Sequence, residues 1–213
     1  MKKHNLFTII ALCLSIAFVS CGGNGHDHKS EASSDGMEES MSGEAKEVTI
    51  NTSSSKVMWK GQMLGMHSHE GTIQFKEGAI QVNGDKVVGG NFTIDMGTIT
   101  PTDDGYKDED GRRKEDLVGH LSSPDFFDVA NYPTASFTVT SVNGNTAKGN
   151  LTIRGNTHEE TVENLTITNE NGVVKITGDL TFDRTKYDVN FKHPMQEMVL
   201  SDDIDLKIDI SAS

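Results

Sequence analysis

The segment HSHE, His67 to Glu70, holds the side chains of this 213-residue chain that are best suited to chemistry. His67 and His69 are two residues apart, so on a β-strand both would point to the same side. Together with Glu70, or with His120 further along the chain, they could supply the nitrogen and oxygen ligands that zinc accepts. The competing hypothesis is a structural or hydrogen-bonding role for the same histidines.

Two other polar motifs match known site signatures only in part. THEE, which starts at Thr157, lacks the second histidine of a zinc protease. The acidic stretch 103–111 resembles a calcium loop in charge, but Tyr106 and Leu117 stand where two of its carboxylate ligands belong, so we predict a solvated acidic loop. The chain contains no nucleophile elbow, phosphate-binding loop, dinucleotide fingerprint or C-x-x-C motif. We therefore expect that it is not an enzyme and needs no cofactor.

Residues 1–20 have the features of an export signal. Lys2 and Lys3 precede an apolar run of 14 residues, which is too short to span a bilayer comfortably. The run ends in FVSC, which resembles the lipobox of bacterial lipoproteins and predicts lipidation of Cys21. The other cysteine, Cys13, would be removed with the signal. The mature chain would then contain no intramolecular disulfide.

Residues 21–45 are predicted to form a flexible acidic tether, because they contain no aromatic and almost no aliphatic side chain. His26 and His28 within the tether would make at most a weak metal site. The whole chain has a net charge of −13, which argues against nucleic acid or anionic head groups as partners bound through its overall field. A lipid anchor on Cys21 would hold the protein on a membrane.

From residue 46 to residue 213 apolar and polar residues alternate, as they do in half-buried strands. In NFTIDMGTI, for example, Phe92, Ile94 and Met96 fall on one face of a strand. Turn signals that contain Asn-Gly separate the runs. Eight or nine strands of this kind predict one antiparallel all-β domain over 46–213.

One segment breaks the alternation. Over residues 112–123 apolar residues recur at helical spacing, and Pro124 ends the run. Phe126 and Phe127 follow directly. We predict a short helical segment near 113–128 that, with these aromatic residues, covers one end of the β domain.

Five sequence blocks, in the same order, resemble the YceI-like family of bacterial exported proteins. KVMWKG…MHSHEGTI and VGGNFTIDMGTI match its first half, and the most specific blocks are GHLSSPDFFDVANYPTASF at 119–137, KGNLTIRGNTHEETV at 148–162 and GDLTFDRTKYDV at 178–189. The resemblance implies an eight-stranded, antiparallel, lipocalin-like barrel over 46–213. In the family such a barrel encloses a long isoprenoid lipid, such as a prenyl quinone or a polyprenyl phosphate. The family usually has histidine near position 67, which favours a role of HSHE in the barrel mouth or fold.

The residues expected to meet this lipid lie on alternating strand faces, in the helical segment or in the family-like blocks. They are Trp59, Phe92, Ile94, Met96, Leu117, His120, Leu121, Phe126, Phe127, Phe137, Phe182, Arg184 and Tyr187. Arg184 could donate a charge-assisted hydrogen bond to a polar head group; its alternative role is a brace that fixes the neighbouring strand. For the apolar residues the alternative is ordinary core packing.

With this resemblance, the chain is expected to be a lipid-anchored protein of the bacterial cell envelope, on the periplasmic or outer-membrane face. It would bind an isoprenoid lipid as a carrier or reservoir and meet a membrane redox or lipid-synthesis protein as a further partner. Two alternatives stay open. One is a ligand-free envelope stress or interaction module with a filled barrel, and the other is a metal-binding protein that uses His67, His69 and Glu70.

Overall fold

The computed structural model describes residues 44–64, 67–84, 86–192 and 199–213. The predicted signal peptide, Cys21 and nearly all of the predicted tether lie outside these ranges. Within them, no helix is both long enough and apolar enough to cross a bilayer.

In the described part of the chain, nine strands form one antiparallel sheet that closes on itself. The strands are β1 (Lys46–Thr49), β2 (Lys56–Met63), β3 (Ser68–Asn83), β4 (Lys86–Pro101), β5 (Thr134–Asn143), β6 (Thr146–Ile153), β7 (Asn156–Glu170), β8 (Val173–Asp183) and β9 (Leu200–Ala212). They are hydrogen-bonded in the order β1-β3-β2-β9-β8-β7-β6-β5-β4, and β4 pairs again with β3. This last pairing closes the sheet into a barrel.

The barrel wall has eight strand positions because β1 and β2 share one of them. β2 pairs with residues 68–74 of β3, whereas β1 pairs with residues 79–82 of the same strand. The predicted eight-stranded antiparallel barrel is therefore confirmed. Its buried apolar cluster extends from Ile50 to Ala212, so the segment from residue 44 to the end has the core of its own that an independently folding domain requires.

The strands follow the period-two pattern of the sequence, as β8 illustrates. Val174, Ile176, Gly178 and Leu180 are buried at alternate positions, and the residues between them are exposed or half-buried. The preceding turn has positive φ at both Asn171 and Gly172 (54° and 84°). Such a turn matches the twist of a tight antiparallel hairpin and favours Asn-Gly.

One helix, α1 (Lys114–Ser122), lies between β4 and β5, which confirms the predicted helical segment. The carboxylate of Asp116 accepts a hydrogen bond from the backbone N–H of Arg113 over 2.9 Å. This contact satisfies one of the amide groups that a helix start leaves unpaired. The helix ends two residues before Pro124, as its sequence indicates.

The barrel end that α1 covers, here called the helix end, also receives the connections that follow β6 and β8. Arg154 lies between β6 and β7, and its Nη1 donates to the carbonyl oxygen of Phe126 (2.7 Å) and to that of Asp188 (2.8 Å). Phe126 is buried, and its ring packs edge-on against Phe127 at 5.0 Å and against His120 at 5.6 Å. The aromatic residues after α1 therefore close part of the helix end.

A second arginine, Arg184, braces the start of β9. It lies in a 3₁₀ turn directly after β8, and its side chain is only 4% exposed. Its guanidinium donates to the carbonyl oxygens of Val189 and Ser201 (Nε to Ser201, 3.0 Å) and to the carboxylate of Asp202 (2.9 Å). This is the bracing role that the sequence left open for Arg184.

We expect Arg184→Met to lower the free energy of unfolding by about 2–4 kcal/mol, because it leaves buried carbonyl groups without a donor. The matched control is Lys207→Met, which removes an exposed cation paired with Asp179 at 3.3 Å. That change should lower the free energy of unfolding by less than about 1 kcal/mol. Urea unfolding of residues 44–213 measures both. Equal effects of the two substitutions would contradict the brace.

Candidate functional site

The barrel is hollow. Its interior holds a cavity of about 1100 Å³ whose lining includes residues of every strand from β2 to β9 and of α1. Typical ligand pockets measure roughly 300–1,000 Å³, so this cavity is as large as a site for a sizeable ligand. Most of the residues that line it are aliphatic or aromatic. Such a wall can bind an extended apolar molecule.

Eleven of the thirteen residues expected to meet a lipid line this cavity. They are Trp59, Phe92, Ile94, Met96, Leu117, His120, Leu121, Phe126, Phe127, Phe137 and Phe182. The structure thus brings together residues from β2, β4, β5, β8 and the helical segment. Contact with a ligand remains a prediction for each of them.

Arg184 and Tyr187 are not among the residues that line the cavity. Arg184 is engaged in the brace at β9, and Tyr187 is fully buried, with its hydroxyl donating to Glu160 over 3.0 Å. The structure therefore places both in the support of the helix end: Arg184 takes the bracing role, and Tyr187 is not in the cavity wall, where it was expected. Their family-like sequence block could not distinguish these positions.

Glycines on the inward face of the wall leave space for the aromatic rings beside them. A Cβ atom on Gly71 would lie 2.5 Å from Cζ2 of Trp59, and one on Gly149 would lie 2.4 Å from Cζ of Phe137. Each ring therefore lies over the backbone of a neighbouring strand, a close approach that only glycine permits. Neither glycine was predicted to be functional from the residue pattern, although both occur at positions where alternation places a residue on the inward face.

Part of the cavity wall, as formed by the described residues, is exposed to solvent and is here called the mouth. The exposed residues that line the cavity there are His67, Asp104, Gly105, Gly111, Arg112 and Arg113. They come from the turn between β2 and β3 and from the connection between β4 and α1. The mouth therefore lies at the helix end, beside the part that α1 covers.

Three half-buried polar residues form a hydrogen-bonded group at the mouth, here called the mouth cluster: His69, Asp103 and Tyr106. Nδ1 of His69 lies 2.9 Å from Oδ2 of Asp103, and the Tyr106 hydroxyl donates to Oδ1 of Asp103 over 2.8 Å. The backbone N–H of Glu70 donates to Oδ1 of the same carboxylate over 3.2 Å. The His69 and Tyr106 rings are stacked with their centroids 5.8 Å apart. These contacts hold the connection after β4 against β3.

The mouth cluster is built around an ionised carboxylate. Burial opposes ionisation of Asp103, but hydrogen bonds from His69, Tyr106 and Glu70 hold its pKa below the usual 3.8. The pKa of the Tyr106 hydroxyl is raised, first by burial and then by the neighbouring Asp103 carboxylate. Tyr106 therefore remains a hydrogen-bond donor at neutral pH.

The prediction of a solvated acidic loop at 103–111 holds for only part of that segment. Asp104 and residues 107–111 are exposed, but Asp103 and Tyr106 fold back onto His69. No local residue pattern indicates this contact, because Asp103 and His69 are 34 positions apart.

The geometry does not support zinc binding by HSHE. Among the described residues, no three His, Cys, Asp or Glu side chains come together in a group that could hold a metal ion. The rings of His67 and His69 meet edge-on at 5.0 Å, whereas Glu70 does not line the cavity. His120, the other predicted ligand, lies against Phe126 and Phe191.

The lowered pKa of Asp103 predicts a pH-dependent contribution to stability. A depressed carboxyl pKa stabilises the fold fully above its unfolded-state value, and this contribution is lost as the pH falls through the folded-state value. Asp103→Asn should therefore lower the free energy of unfolding most at neutral pH, with the difference from wild type shrinking below the usual pKa of 3.8. Urea unfolding of wild type and Asp103→Asn across this pH range measures the difference in the free energy of unfolding.

Asp104→Asn is the matched control, because it removes a carboxylate from an exposed position in the same connection. It should change stability less than Asp103→Asn at neutral pH. A difference between wild type and Asp103→Asn that did not vary with pH would contradict the role of the ionised carboxylate.

Solved structures with the same fold come from bacteria. The crystal structure of Burkholderia cenocepacia BcnA superposes with a TM-score of 0.58 at 20% sequence identity, covering 77% of this chain and 99% of that one. A polyisoprenoid binding domain from Saccharophagus degradans, implicated in plant cell wall breakdown, superposes with a TM-score of 0.50 at 11% identity, covering 78% and 97%. At sequence identities this low, the superpositions establish the shared fold alone.

Sequence comparison identifies the family. A UPF0312 protein of Staphylococcus epidermidis is 30% identical over 152 residues, which make up 67% of this chain and 81% of that protein. The YceI-like domain matches residues 48–212, a range that includes all of β2 to β9, the mouth and α1. The chain therefore belongs to the YceI-like domain family.

Proposed function

We propose that this protein binds one long isoprenoid lipid inside its barrel and acts as a membrane-anchored carrier or reservoir. The observation that carries the proposal is the apolar cavity of about 1100 Å³ that opens at a polar mouth. Such a shape fits a slender molecule with a long hydrocarbon tail and a polar head group. The description of the Saccharophagus protein as polyisoprenoid-binding supports the same ligand class.

The apolar wall offers enough free energy for tight binding. Each five-carbon isoprene unit gains roughly 4 kcal/mol on leaving water, at about 0.8 kcal/mol per buried CH₂. Three or four units would thus exceed the roughly 12 kcal/mol of nanomolar binding, before ordering costs are subtracted. A bilayer offers the same tail nearly the same gain. The free energy of the tail is therefore nearly the same in the barrel and in the membrane. Such a balance suits a protein that takes up a lipid and releases it.

The cavity favours lipid binding over the alternative of a filled barrel. In a filled barrel the inward side chains would meet at the centre, as they do in close-packed interiors. Here Gly61 and Gly89 line the cavity, and aromatic rings lie against glycines of the wall. Inward positions that carry no side chain widen the lumen.

A substitution that fills the lumen should abolish lipid binding. Gly61 lines the cavity, and a Cβ atom there would meet only Ile204 Cδ1, at 3.4 Å. Gly61→Phe can therefore place its ring in the lumen without a backbone clash. Displacing two CH₂-sized groups of the ligand already costs about 1.6 kcal/mol, or more than about tenfold in affinity. We expect Gly61→Phe to lower the affinity for the lipid by at least about tenfold.

The measurement is mass spectrometry of an organic extract of residues 44–213, purified from bacterial cells without detergent. The matched control is Gln62→Phe, which adds the same ring at the next, exposed position of β2. Wild type and Gln62→Phe should carry a stoichiometric prenyl lipid and Gly61→Phe should not. Extracts of wild type that stayed empty, even after incubation with total membrane lipid, would contradict the proposal.

The proposed anchor is a lipid on Cys21, joined to the barrel by residues 21–45. A flexible tether of this length has a root-mean-square span of about 25–30 Å. It would keep the mouth close to the membrane that holds the lipid pool, and so raise the local concentration of ligand. The predicted location is the bacterial cell envelope, where a membrane redox or lipid-synthesis protein would exchange lipid with the barrel.

Cys21→Ser should release the protein from the membrane fraction of its native cells, because the thiol that carries the acyl chains is gone. Cell fractionation followed by mass spectrometry of the intact protein checks this. Wild type should carry the mass of at least one acyl chain. Membrane retention of Cys21→Ser, with no acyl mass on wild type, would contradict the anchor but leave lipid binding by the barrel unaffected.

A further inference from the structure

We propose that the ligand of this barrel carries a neutral hydroxyl head group, as in a quinol, phenol or alcohol, and not a phosphate. In this proposal His69, positioned by Asp103, accepts the hydrogen bond of that hydroxyl at the mouth. The inference rests on the proposed function, because it concerns the head group of the lipid whose tail would fill the barrel.

The mouth cluster lies where the cavity opens to solvent. His69, Asp103 and Tyr106 all line the cavity at its mouth. A lipid whose tail lies in the apolar lumen would bring its head group to this cluster. The side chain of His69 is 34% exposed and that of Asp103 13%. His69 is thus accessible to a ligand, while Asp103 is mostly enclosed behind it.

The hydrogen bonds determine what His69 can offer. An ionised carboxylate only accepts hydrogen bonds, so in the neutral imidazole the Nδ1 atom facing Asp103 carries the proton. Nε2 is then an acceptor, and within the described residues it has no hydrogen-bond partner. A hydroxyl donates to such a nitrogen. A fully ionised phosphate has only acceptor oxygens and cannot.

The charges around the mouth disfavour an anion. From Asp103 to Asp116 the chain carries seven carboxylates and four cationic side chains. Arg112 lies 3.3 Å from the carboxylate of Glu109, and Arg113 lies 2.8 Å from that of Asp110. A phosphate would have to displace these carboxylates in a field that is already negative.

The rest of the described cavity wall offers a phosphate no replacement partner. Among the described residues that line it, the only arginines or lysines are Arg112 and Arg113. Arg184, the cation expected to meet a head group, is held in the brace at β9 instead. A head group without charge does not need such a cationic partner.

The test compares three probes with the same tail: geranylgeranyl hydroquinone, geranylgeraniol and geranylgeranyl phosphate. The chain has a single tryptophan, Trp59, which lines the cavity, so its fluorescence reports binding to residues 44–213. At neutral pH and low ionic strength we expect the hydroquinone, the alcohol or both to bind at least about tenfold more tightly than the phosphate. A preference between the two identifies which hydroxyl lipid is favoured.

A pair of substitutions tests the part assigned to His69. His69→Phe keeps a ring at the mouth but removes the acceptor, so it should weaken hydroxyl probes by about three- to tenfold and leave the phosphate unchanged. His158→Phe is the matched control, because His158 is exposed on β7 and does not line the cavity. It should change none of the three affinities.

The possible results of these binding measurements can be told apart. Phosphate binding as tight as that of the hydroxyl probes overturns the head-group inference, and this comparison needs only the wild-type protein. Equal weakening of all three probes by His69→Phe overturns the assigned role of His69. Failure of every probe to bind wild type contradicts the proposed function itself. A head-group preference that His69→Phe lowers supports the whole inference.

Discussion

The pairing of β3 with β4 is the interaction on which the rest of the structure depends, because it closes the sheet. Both strands are 16 residues long, and they remain paired from Gly71 to Asn83 along β3. A closed sheet has no unpaired edge, so backbone hydrogen bonds hold each of β2 to β9 on both sides. The wall is thereby fixed without side chains that meet at the centre. A hollow interior of about 1100 Å³ is compatible with a stable fold on this basis.

A hollow barrel must place its polar anchoring groups outside the lumen, and this chain concentrates several of them at the helix end. Arg154 and Arg184 donate to backbone carbonyls of the connections there, and Tyr187 donates to Glu160. These groups fix the rim from the protein side, while the mouth cluster fixes the connection that borders the opening. A ligand that binds only the folded barrel adds stability by mass action.

Period-two alternation was enough to predict the strands, and Pro124 with helical spacing was enough to predict α1. The same alternation placed Phe92, Ile94 and Met96 of β4 in the wall, where they line the cavity. It could not reveal the contact of His69 with Asp103, which joins residues 34 positions apart. Nor could it separate Phe182 in the wall from Arg184 in the brace, because the strand ends between them. Contacts made where strands end depend on connections whose path the residue pattern does not specify.

The inward face of β3 would set the orientation of the proposed amphipathic ligand. His69, Ile73 and Phe75 line the cavity on this face, and Gly71 lies between His69 and Ile73 beneath the ring of Trp59. Two residues of strand advance about 7 Å, so the wall changes from polar to apolar within one or two such steps. A head group drawn deeper would lose its hydrogen bonds without replacement, whereas a tail gains free energy along the whole apolar wall. For the proposed ligand, the boundary on β3 would therefore set the depth of the head group, and the volume of the lumen would limit the length of the tail.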